Sequence, residues 1–66
     1  MEVTVNGESI ALDESLSLGD FLVRREIDTE RVVVELNREI VETRNYASIY
    51  LKDKDILEIL RFVGGG

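Results

Sequence analysis

A chain of 66 residues makes one small domain, with no room for a second domain or a deep catalytic cleft. With 44% apolar and 33% charged residues the composition is that of a folding chain, while the absence of cysteine and histidine removes disulfide staples, thiol nucleophiles and the commonest general base. A net charge of −6 spread along the chain makes phosphate backbones and anionic lipids poor partners and a basic protein surface a good one. No long apolar run or basic leader is present, so the expected compartment is the cytoplasm.

Glu2-Val3-Thr4-Val5 alternates polar and apolar residues, and Asn6-Gly7 follows at once. Asn-Gly suits a type I′ turn, whose two central residues both need positive φ, so a hairpin is expected with Val3 and Val5 on the core face. Ile10 and Leu12 resume the period of two beyond the turn. Leu18, Phe21 and Leu22 then fall at i, i+3 and i+4, which predicts a short helix capped by Ser17 through the amide near Asp20. Val23 and the basic pair Arg24-Arg25 face outward, the latter placed to complement the helix dipole or to serve as a small docking patch.

The β-branched run Val32-Val33-Val34-Glu35-Leu36 predicts the central strand, and Asn37-Arg38-Glu39 turns it toward Ile40-Val41 in a second hairpin. Residues 42–54 carry no clear period; irregular structure or one helical turn around Asn45 to Ile49 is expected, with Leu51 returning to the core. Lys52-Asp53-Lys54-Asp55 reads as a polar turn, and Ile56 to Phe62 as the last strand. Two hairpins, a helix and a final strand in this order predict an α+β domain. A mixed sheet of four to five strands carries one main helix across one face, and in such a sheet the first and last strands can lie side by side in the middle. The domain spans 1–63 and a flexible glycine tail spans 64–66.

Period two puts Leu57 and Ile59 on one face of the last strand and Ile56, Leu60 and Phe62 on the other. If the first set packs under the helix, Leu60 and Phe62 stand on the open face beside the tail, together with Val33, as a candidate docking surface. The pairs Asp53/Asp55 and Asp13/Glu14 lack the ligand spacing of a calcium loop and read as solvated acids, so no metal site is expected. That leaves the α-carboxylate of Gly66. An ionised carboxylate is a poor electrophile, and adenylation by ATP makes its oxygen a leaving group, after which a sulfur donor gives a thiocarboxylate and an amine or thiol gives a conjugate. The phosphate-binding groups must come from a partner enzyme, and Gly64 and Gly65 lack the side chains that would block a narrow channel. The chain itself is therefore read as a carrier without catalytic residues or a bound cofactor.

Val5-Asn6-Gly7-Glu8, Val32 to Asn37 with Ile40-Val41, Arg44, Ala47, Leu51-Lys52-Asp53 with Asp55, and the ending Arg61-Phe62-Val63-Gly64-Gly65-Gly66 together resemble the ThiS family. Its members are small sulfur carriers of thiazole synthesis in the thiamine pathway, within the ubiquitin-like β-grasp group. The resemblance implies that a ThiF-like enzyme adenylates Gly66 with ATP and that the thiocarboxylate delivers sulfur to a ThiG-like thiazole synthase. Arg38 and Lys54 stand where the family has turn glycines, Glu42 where proline is usual and Tyr46 where tryptophan is common, departures expected to affect turns and surface. Two other readings share the fold: a MoaD-like carrier for molybdopterin synthesis, and a β-grasp interaction module or ubiquitin-like tag that carries no sulfur.

Overall fold

The computed structural model describes residues 1–62, and the tail expected at Gly64, Gly65 and Gly66 lies outside the described residues. Strands β1 (Glu2–Val5) and β2 (Glu8–Ala11) form the first hairpin, and α1 (Leu18–Arg24) follows. β3 (Val32–Leu36) and β4 (Glu39–Val41) form the second hairpin, and β5 (Ile56–Arg61) closes the sheet. The strand order is β2-β1-β5-β3-β4, with β1 and β5 parallel and the other pairs antiparallel. This is the ubiquitin-like β-grasp arrangement. Among the described residues no helix is long and apolar enough to cross a membrane.

Both hairpins turn through paired positive φ angles, Asn6 (50°) with Gly7 (85°) and Asn37 (51°) with Arg38 (73°). The type I′ form matches the right-handed twist of the strands, which is why two such turns bracket the sheet. Ser17 caps α1 as expected, its Oγ accepting from the Asp20 amide at 3.0 Å. At the other end Glu26 takes the left-handed conformation at φ 58°. The Ile27 amide then reaches the Leu22 carbonyl and the Glu26 amide the Val23 carbonyl, each at 3.0 Å, so the helix ends in a Schellman motif with glutamate in the usual glycine place.

Val3, Val5, Leu18, Phe21, Leu22, Val34, Leu51 and Leu57 form the core between α1 and one face of the sheet. Each larger side chain buried there contributes about 1.5–3 kcal/mol of hydrophobic stabilisation. Val23 stays outside, as expected from the helical spacing. Arg24 pairs with Glu14 at 3.3 Å, and the Arg25 guanidinium lies 5.6 Å from the centre of the Phe21 ring.

Three readings are corrected. β5, not β3, is the central strand; the β-branched run of β3 reports burial on a pleated surface, which strands beside the centre share. The helical turn expected around Asn45 to Ile49 forms earlier, as a 3₁₀ turn at Thr43–Asn45. From there the chain runs back against the start of the helix, with Leu18 N–H donating to the Ile49 carbonyl at 2.7 Å and Leu51 N–H to the Leu16 carbonyl at 2.9 Å. That path carries Tyr46 into the core at 5% exposure, so its replacement of the family's tryptophan is a matter of packing, not of surface. Asp53 is exposed and Asp55 partly so, as expected of solvated acids, and both also hold the turn. Asp53 Oδ1 accepts from the Glu2 amide at 2.8 Å, and Asp55 uses one oxygen for Asn37 Nδ2 at 3.0 Å and the other for the Lys52 amide at 2.7 Å.

Candidate functional site

β5 is the element from which the glycine end departs, and the sheet holds it from both sides. Toward β3 it pairs from Leu36↔Leu57 to Val32↔Arg61, and the Phe62 amide still donates to the Arg31 carbonyl at 2.9 Å. Toward β1 the parallel pairing stops at Val5↔Leu57. Beyond it the Asn6 side chain takes over: the Ile59 amide donates to Asn6 Oδ1 at 2.7 Å, and Asn6 Nδ2 donates to the Ile59 carbonyl at 3.2 Å. Phe62, the last described residue, thus follows a strand paired with β3 to its end and held on the β1 side as far as Ile59.

Period two divides β5 as the sequence predicts. Leu57 is wholly buried and Ile59 packs against the core, while Ile56, Leu60 and Phe62 are about half exposed on the open face, at 50%, 54% and 53%. Val33 is half-buried and lies directly opposite Leu60. Val33 and Phe62 also line one shallow depression, together with Ile40, Val41 and Tyr46. The three residues expected to form a docking surface are therefore brought together by the β3 and β5 register.

The sequence reading left out Ile40. It is 68% exposed and sits opposite Glu35, whose own face is that of Val33, so it extends the apolar patch across β4. The signal was present in the Glu39-Ile40-Val41 alternation, but only the register tells which of the two apolar residues faces out. Glu35 and Glu58 stand directly opposite each other on this same open face. Like charges across a strand pair repel, and a cation arriving from outside would relieve them. The open face thus carries an acidic pair with Val33 and Leu60 on one side of it and Ile56 on the other. Among the described residues no group of three or more His, Cys, Asp or Glu side chains is placed to hold a metal ion.

The chain is similar to known proteins in sequence and in fold. The ThiS family model matches residues 1–66. The sulfur carrier protein ThiS of Bacillus subtilis is 33% identical over 63 residues, covering 94% of this chain and 96% of that one. A thiazole synthase of Paramagnetospirillum magneticum is 38% identical over all 66 residues, and the chain spans 20% of its length. The crystal structure of the thiamine biosynthesis protein ThiS of Geobacter metallireducens superposes with a TM-score of 0.87 at 39% identity, covering 100% of both chains.

Proposed function

The chain belongs to the ThiS family, and on that premise we propose that it carries sulfur for thiazole formation in thiamine biosynthesis on the α-carboxylate of Gly66. The carboxylate attacks the α-phosphorus of ATP in a ThiF-like activating enzyme, pyrophosphate leaves, and an acyl-adenylate results. Sulfide then attacks the acyl carbon, AMP leaves with the bonding electrons, and the product is a thiocarboxylate. The activating enzyme supplies the phosphate-binding groups and consumes the ATP; this chain is the substrate that is loaded. Gly64 and Gly65 carry no side chains to obstruct entry into that enzyme.

The observation that carries this reading is the family match over the whole of residues 1–66, the Arg61-Phe62-Val63-Gly64-Gly65-Gly66 ending included. The client is a ThiG-like thiazole synthase, supported by the thiazole synthase of which this chain spans 20%. There a segment similar to this carrier and the name of its client belong to one polypeptide, which favours thiazole over molybdopterin synthesis and over an interaction module without sulfur. Val33, Leu60 and Phe62 dock against these partners, with Ile40 and Ile56 widening the apolar contact. Glu35 and Glu58 select a basic rim on the partner. The reaction is assigned to the cytoplasm, and the net charge of −6 disfavours nucleic acid and anionic membrane as partners.

The test is intact-protein mass spectrometry after incubation with ATP, a ThiF-like enzyme and sulfide. Exchange of one oxygen for one sulfur, located on Gly66, is the expected result. An unchanged mass beside a second carrier that the same enzyme does load would overturn the reading.

A further inference from the structure

A peptide step from asparagine to glycine is prone to lose side-chain ammonia, because the next nitrogen can attack the asparagine Cγ and glycine puts no side chain in the way. Asn6-Gly7 is such a step, and it lies in the open. Gly7 is exposed, and a Cβ built on it would meet nothing within 4 Å, so solvent reaches the turn. The fold sets two barriers against the attack. Asn6 is the first central residue of a type I′ turn at φ 50°, where ψ is about +30°, whereas ring closure needs the Gly7 nitrogen to eclipse Asn6 Cβ. The main chain must therefore rotate far about the Cα–C bond of Asn6 before the atoms meet. The carboxamide is held as well: Oδ1 accepts from the Ile59 amide at 2.7 Å, and Nδ2 donates to the Ile59 carbonyl at 3.2 Å. With the Asn6 N–H donating to the Leu57 carbonyl at 2.9 Å, main chain and side chain are both fixed to β5. Both barriers fall together when the turn parts from that strand.

The second hairpin supplies a matched control. Asn37 holds the same turn position at φ 51°, its Oδ1 accepts from the Ile56 amide at 3.0 Å, and its Nδ2 donates to Asp55 at 3.0 Å. The residue after it is Arg38, whose side chain hinders the attacking nitrogen. The two turns therefore share a backbone geometry and differ in the reactivity of the following residue.

We propose that Asn6-Gly7 is a site of spontaneous deamidation, kept shut by the pairing of Asn6 with β5 and opened when the first hairpin separates from that strand. The chemistry is independent of whether the chain carries sulfur. Solvent hydroxide takes the proton of the Gly7 amide, the nitrogen attacks Asn6 Cγ, the bond from Cγ to Nδ2 breaks, and ammonia leaves with a proton from water. A succinimide results, and water opens it at either carbonyl to leave aspartate or isoaspartate at position 6. Either product carries one further negative charge and has lost the Nδ2 donor. The aspartate sets an anionic oxygen against the Ile59 carbonyl, and the isoaspartate adds a methylene to the main chain of a turn whose strands are paired at Val5↔Glu8. Both products hold β5 less firmly on its β1 side.

The full chain is incubated at constant temperature and pH in a series of urea concentrations up to complete unfolding. Peptide mass mapping follows the exchange of NH for O at residue 6, and amide hydrogen exchange follows Ile59 under the same conditions. Without urea, deamidation is expected to run at least about tenfold slower than in the unfolded chain, the factor that corresponds to a local opening of about 1.4 kcal/mol. It then rises with urea in parallel with Ile59 exchange, since one opening frees both, while Asn37 stays unmodified in the folded chain. The modified protein, separated by its extra charge, is expected to show faster Ile59 exchange and a lower thermal midpoint. Equal rates in the folded and unfolded chain, deamidation that does not track Ile59 exchange, or unchanged Ile59 exchange in the product would overturn the gating by β5. An unmodified residue 6 in the unfolded chain would overturn the site itself.

Discussion

Two kinds of residue do unusual work in this chain. The first kind holds positive φ without being glycine or asparagine: Glu26, Arg38 and Lys54 at 58°, 73° and 72°. A side chain costs roughly 1–2 kcal/mol there through the clash of its Cβ with the carbonyl oxygen, while glycine gives back about 0.5–1 kcal/mol of that by its freedom in the unfolded chain. Arg38→Gly is therefore expected to stabilise the fold by about 0.5–1 kcal/mol. Chemical denaturation measures it, and a lower midpoint would show that the arginine side chain earns its place. The second kind is exposed and apolar. Phe62 is 53% accessible, so Phe62→Asp should shift the thermal midpoint by no more than about 2 °C, in keeping with a surface change, and weaken binding to the activating enzyme at least tenfold. Titration of the enzyme with each carrier separates the two effects; a large thermal loss with unchanged binding would place Phe62 in the fold rather than the interface.

At the scale of elements, the open faces of β3 and β5 carry a conflict. Glu35 and Glu58 face each other across the register. Reversing one charge turns a repelling pair into an attracting one, so Glu58→Lys should stabilise the sheet by about 0.2–1 kcal/mol and at the same time weaken docking to a basic rim. A parallel rise in both stability and affinity would show that the partner does not read these acids. The β5 strand was legible because its alternation is strict from Ile56 to Phe62, and α1 because Leu18, Phe21 and Leu22 share one helical face under a serine cap. The 3₁₀ turn at Thr43–Asn45 was not, since it is held by its own main-chain bonds, and neither Glu42 nor the residues after it bear a capping signature.

For the molecule as a whole, the proposed function puts fold and chemistry on separate stretches of chain. The core of Val3, Leu18, Phe21, Leu22, Val34, Leu51 and Leu57 lies well before the glycines. Deletion of Gly65 and Gly66 should therefore leave the thermal midpoint within about 2 °C of the full chain and abolish adenylation. Pyrophosphate release in the presence of the activating enzyme reports the second effect, and release at the full rate from the shortened chain would remove Gly66 from the mechanism.

Much of this protein is local in origin. Asn-Gly at the first turn, the serine cap, the i, i+3, i+4 face of the helix and the period of two in the last strand each depend on residues a few positions apart, so the sequence by itself determined the strands and the main helix, the core face and the glycine end as the candidate for chemistry. Only the tertiary structure decided which strand is central, that Tyr46 is buried, that Ile40 joins Val33 and Leu60, and that Asn6 holds Ile59. Each of those facts is a pairing between residues distant in the chain, set by strand register and by the return of residues 46–51 against the helix, and no local period encodes a register.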